Sequence, residues 1–291
     1  MPHSSRGPLL ALIASSTLWG AIWLPLKFFG DAGFSSVALL FVAYGSLTLI
    51  GLPLLMRHAR QWRRPEWSVI ALVFLFGGYA NVAFNTSMMY GNVVRSMALF
   101  YTLPVWALLG AYFFLGEAVT RWRALAALFA VVGAWLILGG VNIFVSPPGW
   151  MDFLALTSGF AYAMNNLCFR ATPSLAIAPK IATMFFSGAF FTALLLFCGV
   201  ESLPQHAPLS LWLLAGAFGL CWILLANVGT QWGVTHMEAG RAAVIIVLEL
   251  VIAVITSFFW GDTHLSIIEW CGAALILVAA LMEARGEFST E

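Results

Sequence analysis

Charged residues are scarce in this sequence: they make up 9% of 291 positions, against 62% hydrophobic, where an ordinary soluble domain carries roughly a quarter. A soluble fold of this length needs a polar shell, because large apolar patches in water drive association. The shortage of charge excludes such a shell and makes the bilayer the expected solvent. An excess of either sign is also missing. Net charge is +1, and the Lys and Arg fall in short loops instead of a stripe, which argues against a nucleic-acid partner. Cys168, Cys198, Cys221 and Cys271 stand singly in apolar stretches. They lack metal-ligand or redox spacing and read as small buried hydrophobes. Hydrolase and metalloprotease signatures are absent too, with no G-x-S-x-G and no H-E-x-x-H. The histidines, His3, His58, His206, His236 and His264, all lie at or near loops. The expectation is a protein that is not an enzyme and uses neither cofactor nor metal.

What the sequence does contain is long apolar runs. A spanning helix needs about 20 mostly apolar residues. Pro, Gly and charged punctuation divides the chain into ten such segments, 8–29, 34–56, 67–89, 93–115, 123–142, 150–170, 179–199, 210–235, 240–260 and 266–284. The first is too long for a signal-peptide core of roughly 7 to 15 residues and is read as a helix. Pro173 and Pro179 crowd the turn between the sixth and the seventh. Lys and Arg stay on the cytoplasmic side of short loops. With an inside amino terminus, Arg6, Arg57, Arg60, Arg63, Arg64, Arg121, Arg123, Arg170, Lys180, Arg241 and Arg285 fall inside, and only Lys27 and Arg95 outside. A miscount in the middle would scramble that bias, so both termini are expected in the cytoplasm.

The sequence also matches itself. Ala80-Asn81-Val82 recurs as Ala226-Asn227-Val228 at an offset of 146, where Asn85 falls on Gln231 and Arg95 on Arg241. At an offset of 145, Gly116-Glu117 meets Gly261-Asp262, and at 143, Ser15, Trp19 and Lys27 meet Ser158, Tyr162 and Arg170. Matches in the same order with small drifts in register support one another. They predict two five-helix repeats, 1–145 and 146–291, within a single transmembrane domain. Five is odd, so the second repeat enters the membrane upside down relative to the first, an arrangement from which many transporters build two alternating gates.

Leu18-Trp19-Gly20 with Lys27, the run from Arg95 through Pro104 to Gly116-Glu117, and Gly133, with a second copy from Arg241 to Gly261-Asp262 followed by Gly272, resemble the EamA-type members of the drug/metabolite transporter superfamily. The resemblance covers essentially the whole chain and is greatest to the YddG-type aromatic amino-acid exporters of bacterial inner membranes. It implies an all-α membrane protein with ten transmembrane helices in two inverted halves around a central cavity. The first, third, fourth, sixth, eighth and ninth helices would line that cavity, and the solute would be an amino acid or related metabolite. The second half departs from the pattern in lacking a proline at the place of Pro104, where Glu249 or Leu250 stands, so the two gates need not move alike.

Polar groups inside spans point to a pathway, because they cost several kcal/mol facing hydrocarbon. Asn81, Asn85 and Met88 share one helical face, as do Asn227 and Gln231. These amides line a solute site or act as hydrogen-bonded glue between helices. Trp19, Trp23, Tyr79, Tyr101, Trp106 and Tyr162 lie deeper than the belt tryptophans, on helices that the resemblance assigns to the cavity. They either stack on a solute ring or pack between helices. Glu249 is the one carboxylate well inside a predicted span and must be neutralised by a proton or a partner, which makes it a candidate proton-coupling residue. Lys27 and Arg170, at equivalent helix ends, are expected to reach the headgroups. The function expected from all this is secondary export of aromatic or other bulky apolar amino acids by alternating access. Export of a different metabolite or drug, or a passive channel, is the alternative.

Overall fold

A chain that leaves water must satisfy every backbone N–H and C=O within its own segment, and helices do so. The computed structural model describes residues 6–59, 62–91, 93–140, 147–260 and 266–285. Among the described residues there is no strand, and the chain folds into ten helical rods. These are α1 (Arg6–Asp31), α2 (Ser36–Ala59), α3 (Arg64–Tyr90), α4 (Val93–Leu115), α5 (Arg121–Ile137), α6 (Trp150–Ala171), α7 (Ile177–Phe197), α8 (Leu209–His236), α9 (Ala239–Trp260) and α10 (Ile267–Arg285). Seven of them, α1 to α4 and α7 to α9, are long and apolar enough to cross a membrane. Of the other three, α5 is 17 residues long, α6 carries Asp152, Asn165, Asn166 and Arg170, and α10 carries Glu269, Glu283 and Arg285.

Rod ends follow ordinary helix chemistry. Arg63 N–H donates to Glu66 Oε2, Gly149 N–H to Asp152 Oδ2, and Ser266 N–H to Glu269 Oε2. In each case a carboxylate three residues on accepts an amide that the helix leaves free. At the far end of α4, Gly116 turns the chain at φ 67° and lets Glu117 N–H reach Ala111 O at 3.1 Å. The rods end within three residues of the predicted limits, save that α5 stops at Ile137 instead of 142, before Gly139 and Gly140 at φ 107° and 56°. Pro179 lies inside the first turn of α7, where its missing N–H costs nothing.

Most of the packing joins rods from the first five to rods from the last five. α1 lies against α8 and α9, α6 lies against α3 and α4, α2 pairs with α7, α5 with α10, and α4 with α9. Exchanging each rod for the one five places away maps this set onto itself. Apolar side chains gain little from leaving lipid, so close van der Waals fit must hold such pairs. The α5–α10 seam shows how. A Cβ on Gly133 would lie 2.7 Å from the Gly272 carbonyl, and one on Gly272 would lie 2.6 Å from the Gly133 carbonyl. Buried Ala126, Ala130, Ala134, Ala273 and Ala279 continue the seam.

Charges gather at the rod ends. At one end of the bundle Arg170 Nε lies 3.0 Å from Glu117 Oε1, its Nη1 donates to Thr235 O, and Glu117 Oε2 accepts from Ala239 N–H. Beside them Arg123 pairs with Glu238, and Arg241 Nη2 donates to Glu283 O at 2.7 Å. At the opposite end Arg95 Nε meets Asp152 Oδ1 at 2.8 Å. Arg95 thus stands at the opposite end of the bundle from Arg123, Arg170 and Arg241. Arg170 is paired with Glu117 there. Lys27 is exposed at the end of α1. Arg60, His3, His264 and the Gly261-Asp262 pair lie outside the described residues.

The cysteines also correct the sequence reading. Cys198, Cys221 and Cys271 are exposed on the bundle surface, and only Cys168 is half-buried. In lipid an outward-facing thiol meets the same apolar medium as a buried one. Of the six tryptophans expected in the interface belts, Trp67, Trp122, Trp150 and Trp270 are exposed at rod ends, while Trp62 and Trp212 are half-buried, edge-on to Trp67 and Phe34.

Candidate solute site

Two of the rods are broken at matching depths. α4 consists of Val93–Phe100 and Leu103–Gly110, joined by a turn at Tyr101 and Thr102, before a π-turn at Ala111–Leu115. Pro104 lacks an N–H and cannot close the bond to the Phe100 carbonyl. That carbonyl is where α6 comes closest, against Gly159. α9 consists of Ala239–Ile246 and Leu248–Trp260, with Val247 N–H reaching back three residues to Val244 O at 3.2 Å. The break at Val247 stands 145 residues after Thr102. No proline marks it. The run Val244, Ile245, Ile246, Val247 is β-branched and resists helical packing of its side chains. Glu249 then falls in the first turn of the second segment, where a helix amino terminus favours an acid.

The breaks touch. Tyr101 O–H donates to Glu249 Oε1 at 2.7 Å. Tyr162, on α6, stands within electrostatic reach of both, with Asn166 one turn further along its own rod. Asn166 Oδ1 accepts from Gln231 Nε2 on α8 at 3.3 Å and, more distantly, from Asn165 Nδ2. On the other side of Tyr162, Tyr44 of α2 accepts from Asn81 Nδ2 at 2.6 Å, and Asn85 Nδ2 donates to the Asn81 carbonyl at 2.8 Å. A chain of hydroxyls, amides and one carboxyl therefore crosses the middle of the bundle from α8 to α4. Two amide oxygens in it, Gln231 Oε1 and Asn165 Oδ1, are buried without a hydrogen-bond partner. An unmatched buried acceptor costs about 1 to 3 kcal/mol and calls for an explanation such as a bound donor.

Of the residues singled out from sequence, Asn81, Asn85, Tyr101, Tyr162, Gln231 and Glu249 join this cluster. The others sit apart from it. Asn227 Nδ2 bonds Ile223 O of its own rod, just after the π-turn Gly219–Ile223. Trp106 Nε1 donates to Thr102 Oγ1 on its own rod, and its ring meets Phe160 edge-on at 5.7 Å. Trp19 closes the α1–α8 seam through Thr230 Oγ1, Trp23 the α1–α9 seam through Thr256 Oγ1, and Tyr79 the α3–α6 seam through Thr157. Flat walls for the cluster come instead from Phe100, whose ring lies 5.6 Å from Tyr162 and 4.4 Å from Phe84.

Sequence reasoning missed Tyr44, Asn165 and Asn166. The adjacent amides Asn165-Asn166 were visible as polar groups inside a span. Tyr44 had no such signal, since a tyrosine among apolar residues is ordinary until its partner is known. Lys180 was also misread as a loop cation. It is fully buried, and its Nζ donates to Phe169 O at 3.0 Å and Thr172 O at 2.9 Å. It thus caps the carboxyl end of α6, where a cation is favoured.

The chain is similar to proteins already known. The model of the EamA-like transporter family matches residues 6–139 and again 149–283. A riboflavin transporter of Rhizobium johnstonii is 29% identical over 285 residues, spanning 92% of this chain and 86% of that protein. A solved crystal structure shares the fold with a TM-score of 0.73 at 18% identity, over 95% of this chain and 98% of the other.

Proposed function

The chain belongs to the EamA-like transporter family, and on that premise we propose that it carries a small planar aromatic metabolite across a bacterial inner membrane by alternating access. The moving parts are two inverted five-helix halves, 1–145 and 146–291, that rock about the midspan cluster. Two separate matches to one family model, the offsets within the sequence, and packing that is unchanged when rods five apart are exchanged all support the halves. Breaks in α4 and α9 support the position of the site, since discontinuous helices commonly mark solute sites in transporters.

The observation that carries the solute class is the pair of unpartnered amide oxygens, Gln231 Oε1 and Asn165 Oδ1, among neutral groups and beside aromatic rings. Arg95, Arg123, Arg170, Arg241 and Lys180 are held at the rod ends by Asp152, Glu238, Glu117, Glu283 and the end of α6. A neutral solute with N–H donors on a flat ring suits such a lining better than an anion. Riboflavin, named for the Rhizobium relative, has this chemistry. The second reading, export of aromatic or other bulky apolar amino acids, draws on Glu249, whose carboxyl could receive an ammonium group. Counterflow in proteoliposomes separates the two. Labelled riboflavin should exchange saturably, with competition by unlabelled riboflavin and weak competition by tryptophan. Saturable tryptophan exchange that riboflavin leaves untouched would favour the second reading, and non-saturable leakage of both would defeat the carrier.

A further inference from the structure

We infer that Glu249 binds the proton that drives this carrier, so that solute leaves in exchange for a proton; the inference rests on the carrier reading above. Among the described residues Glu249 is the one acid that stands midway through the bundle, while the others occupy rod ends or turns. The ion pairs lie at those ends as well. A carboxyl locked to Arg is held in one charge state. Glu249 instead meets a neutral phenol, Tyr101 O–H at 2.7 Å, which can serve the carboxylate and can turn away when the acid is protonated.

The surroundings hold both states within reach. The break at Val247 places Glu249 at the amino terminus of Leu248–Trp260, where exposed amides favour a negative charge. Its depth in the bundle opposes that charge. The titratable groups facing it are Tyr101 on α4 and Tyr162 on α6. α1 offers backbone contact at Gly20 and the indoles of Trp19 and Trp23. α5 and α10 meet α9 through apolar side chains such as Ala130 and Ile276, apart from the Arg123–Glu238 and Arg241–Glu283 pairs at the rod end. Glu249 is half-buried among these helices.

Solute and proton compete for the same oxygens. When the carboxyl is ionised, it accepts an N–H from the solute. When a proton arrives from the opposite side, an O–H bond forms on the carboxyl and the solute hydrogen bond is given up. Breaking that O–H bond on the other face returns the proton to water and restores the carboxylate. Each cycle moves one solute one way and one proton the other, with nothing oxidised or reduced. The chain Tyr162–Asn166–Gln231 links the carboxyl to the unpartnered amide oxygen, so occupancy at one end is felt at the other.

The test uses the full chain in proteoliposomes, with riboflavin and tryptophan as probes. With the membrane potential clamped near zero, because exchange of a neutral solute for a proton moves one charge, vesicles more acid inside by about one unit should concentrate a transported probe about tenfold. In Glu249→Gln the probe should not be concentrated, and whatever saturable exchange survives should be the same with and without the pH difference. Tyr101→Phe, which keeps the acid, should still concentrate the probe but with an altered pH profile. Saturable but unconcentrated uptake by the unaltered chain, or concentration by Glu249→Gln equal to it, would overturn the coupling and leave the carrier standing. Absence of saturable flux for both probes would remove carrier and coupling together.

Discussion

Tyr101 and Glu249 stand 148 residues apart in sequence and join the break in α4 to the break in α9. Each break has its own chemistry, a proline in one rod and a β-branched run in the other. The bond between them means that neither half-helix can swing far without disturbing its counterpart. Four expectations beyond proton coupling follow from the geometry.

Gln231 and Asn227 share a face of α8, yet only Gln231 reaches across to α6. Gln231→Ala should lower transport efficiency at least about tenfold, since loss of a buried amide's partners costs about 1 to 3 kcal/mol. Asn227→Ala removes a bond to its own rod and should cost less than about threefold in efficiency. Initial rates in proteoliposomes, normalised to folded protein, check both; equal losses would place the two amides in the same role.

Glu117 and Arg170 tie α4, α6, α8 and α9 together at one end of the bundle. Reversing either charge alone should weaken the bundle and slow transport. The exchange Glu117→Arg with Arg170→Glu should recover part of the loss, with a coupling of about 0.5 to 3 kcal/mol in a double-mutant cycle on thermal stability. Strict additivity would show that the pair is incidental. Ala239 N–H, which bonds Glu117, sets the ceiling on recovery.

A side chain at Gly133 has nowhere to go, with the Gly272 carbonyl and Ile276 against it, whereas a Cβ at Gly45 meets nothing within 4 Å. Gly133→Val should therefore destabilise by about 1 to 3 kcal/mol through overpacking. Gly45→Ala should be neutral or stabilising by up to about 1 kcal/mol through helix propensity. Unfolding temperature in detergent distinguishes them, and a tolerant Gly133 would mean that α5 and α10 do not fit as closely as the seam requires.

Lys180→Met keeps the length of the side chain and removes its charge and donors. The Phe169 and Thr172 carbonyls at the end of α6 would lose a partner, at about 1 to 3 kcal/mol. The expected result is a lower unfolding temperature with the affinity of the solute site unchanged, because Lys180 hydrogen bonds the end of α6 and no residue of the cluster. A change in affinity without loss of stability would assign Lys180 a role in binding instead.

Most of the fold could be read from the sequence because lipid imposes one rule, that each span closes its own backbone bonds. Apolar length and punctuation then located nearly every rod end. α5 ran short at Gly139 and Gly140, since hydropathy does not register a glycine that leaves the helical region. The break in α9 was also hidden: no proline marks it, and only the β-branched run at 244–247 points to it. The site was half legible. Polarity inside a span pointed to Asn81, Asn85, Gln231 and Glu249, but polarity does not say whether an amide turns to its own rod, as Asn227 does, or to a neighbour. Ring depth likewise did not separate Tyr101 and Tyr162 from Trp19 and Trp23, which hydrogen bond across seams.

Because rods of the first five find their main neighbours among the last five, assembly cannot proceed from front to back. As the chain emerges from the ribosome, α1 must wait for α8 and α2 for α7, with their mating surfaces solvated by lipid or held by the insertion machinery. Completion comes only when α10 arrives to close on α5. A fragment ending after α5 would thus be an inserted but unassembled intermediate, and co-expression of the two halves as separate chains would be the natural way to rebuild the carrier from pieces.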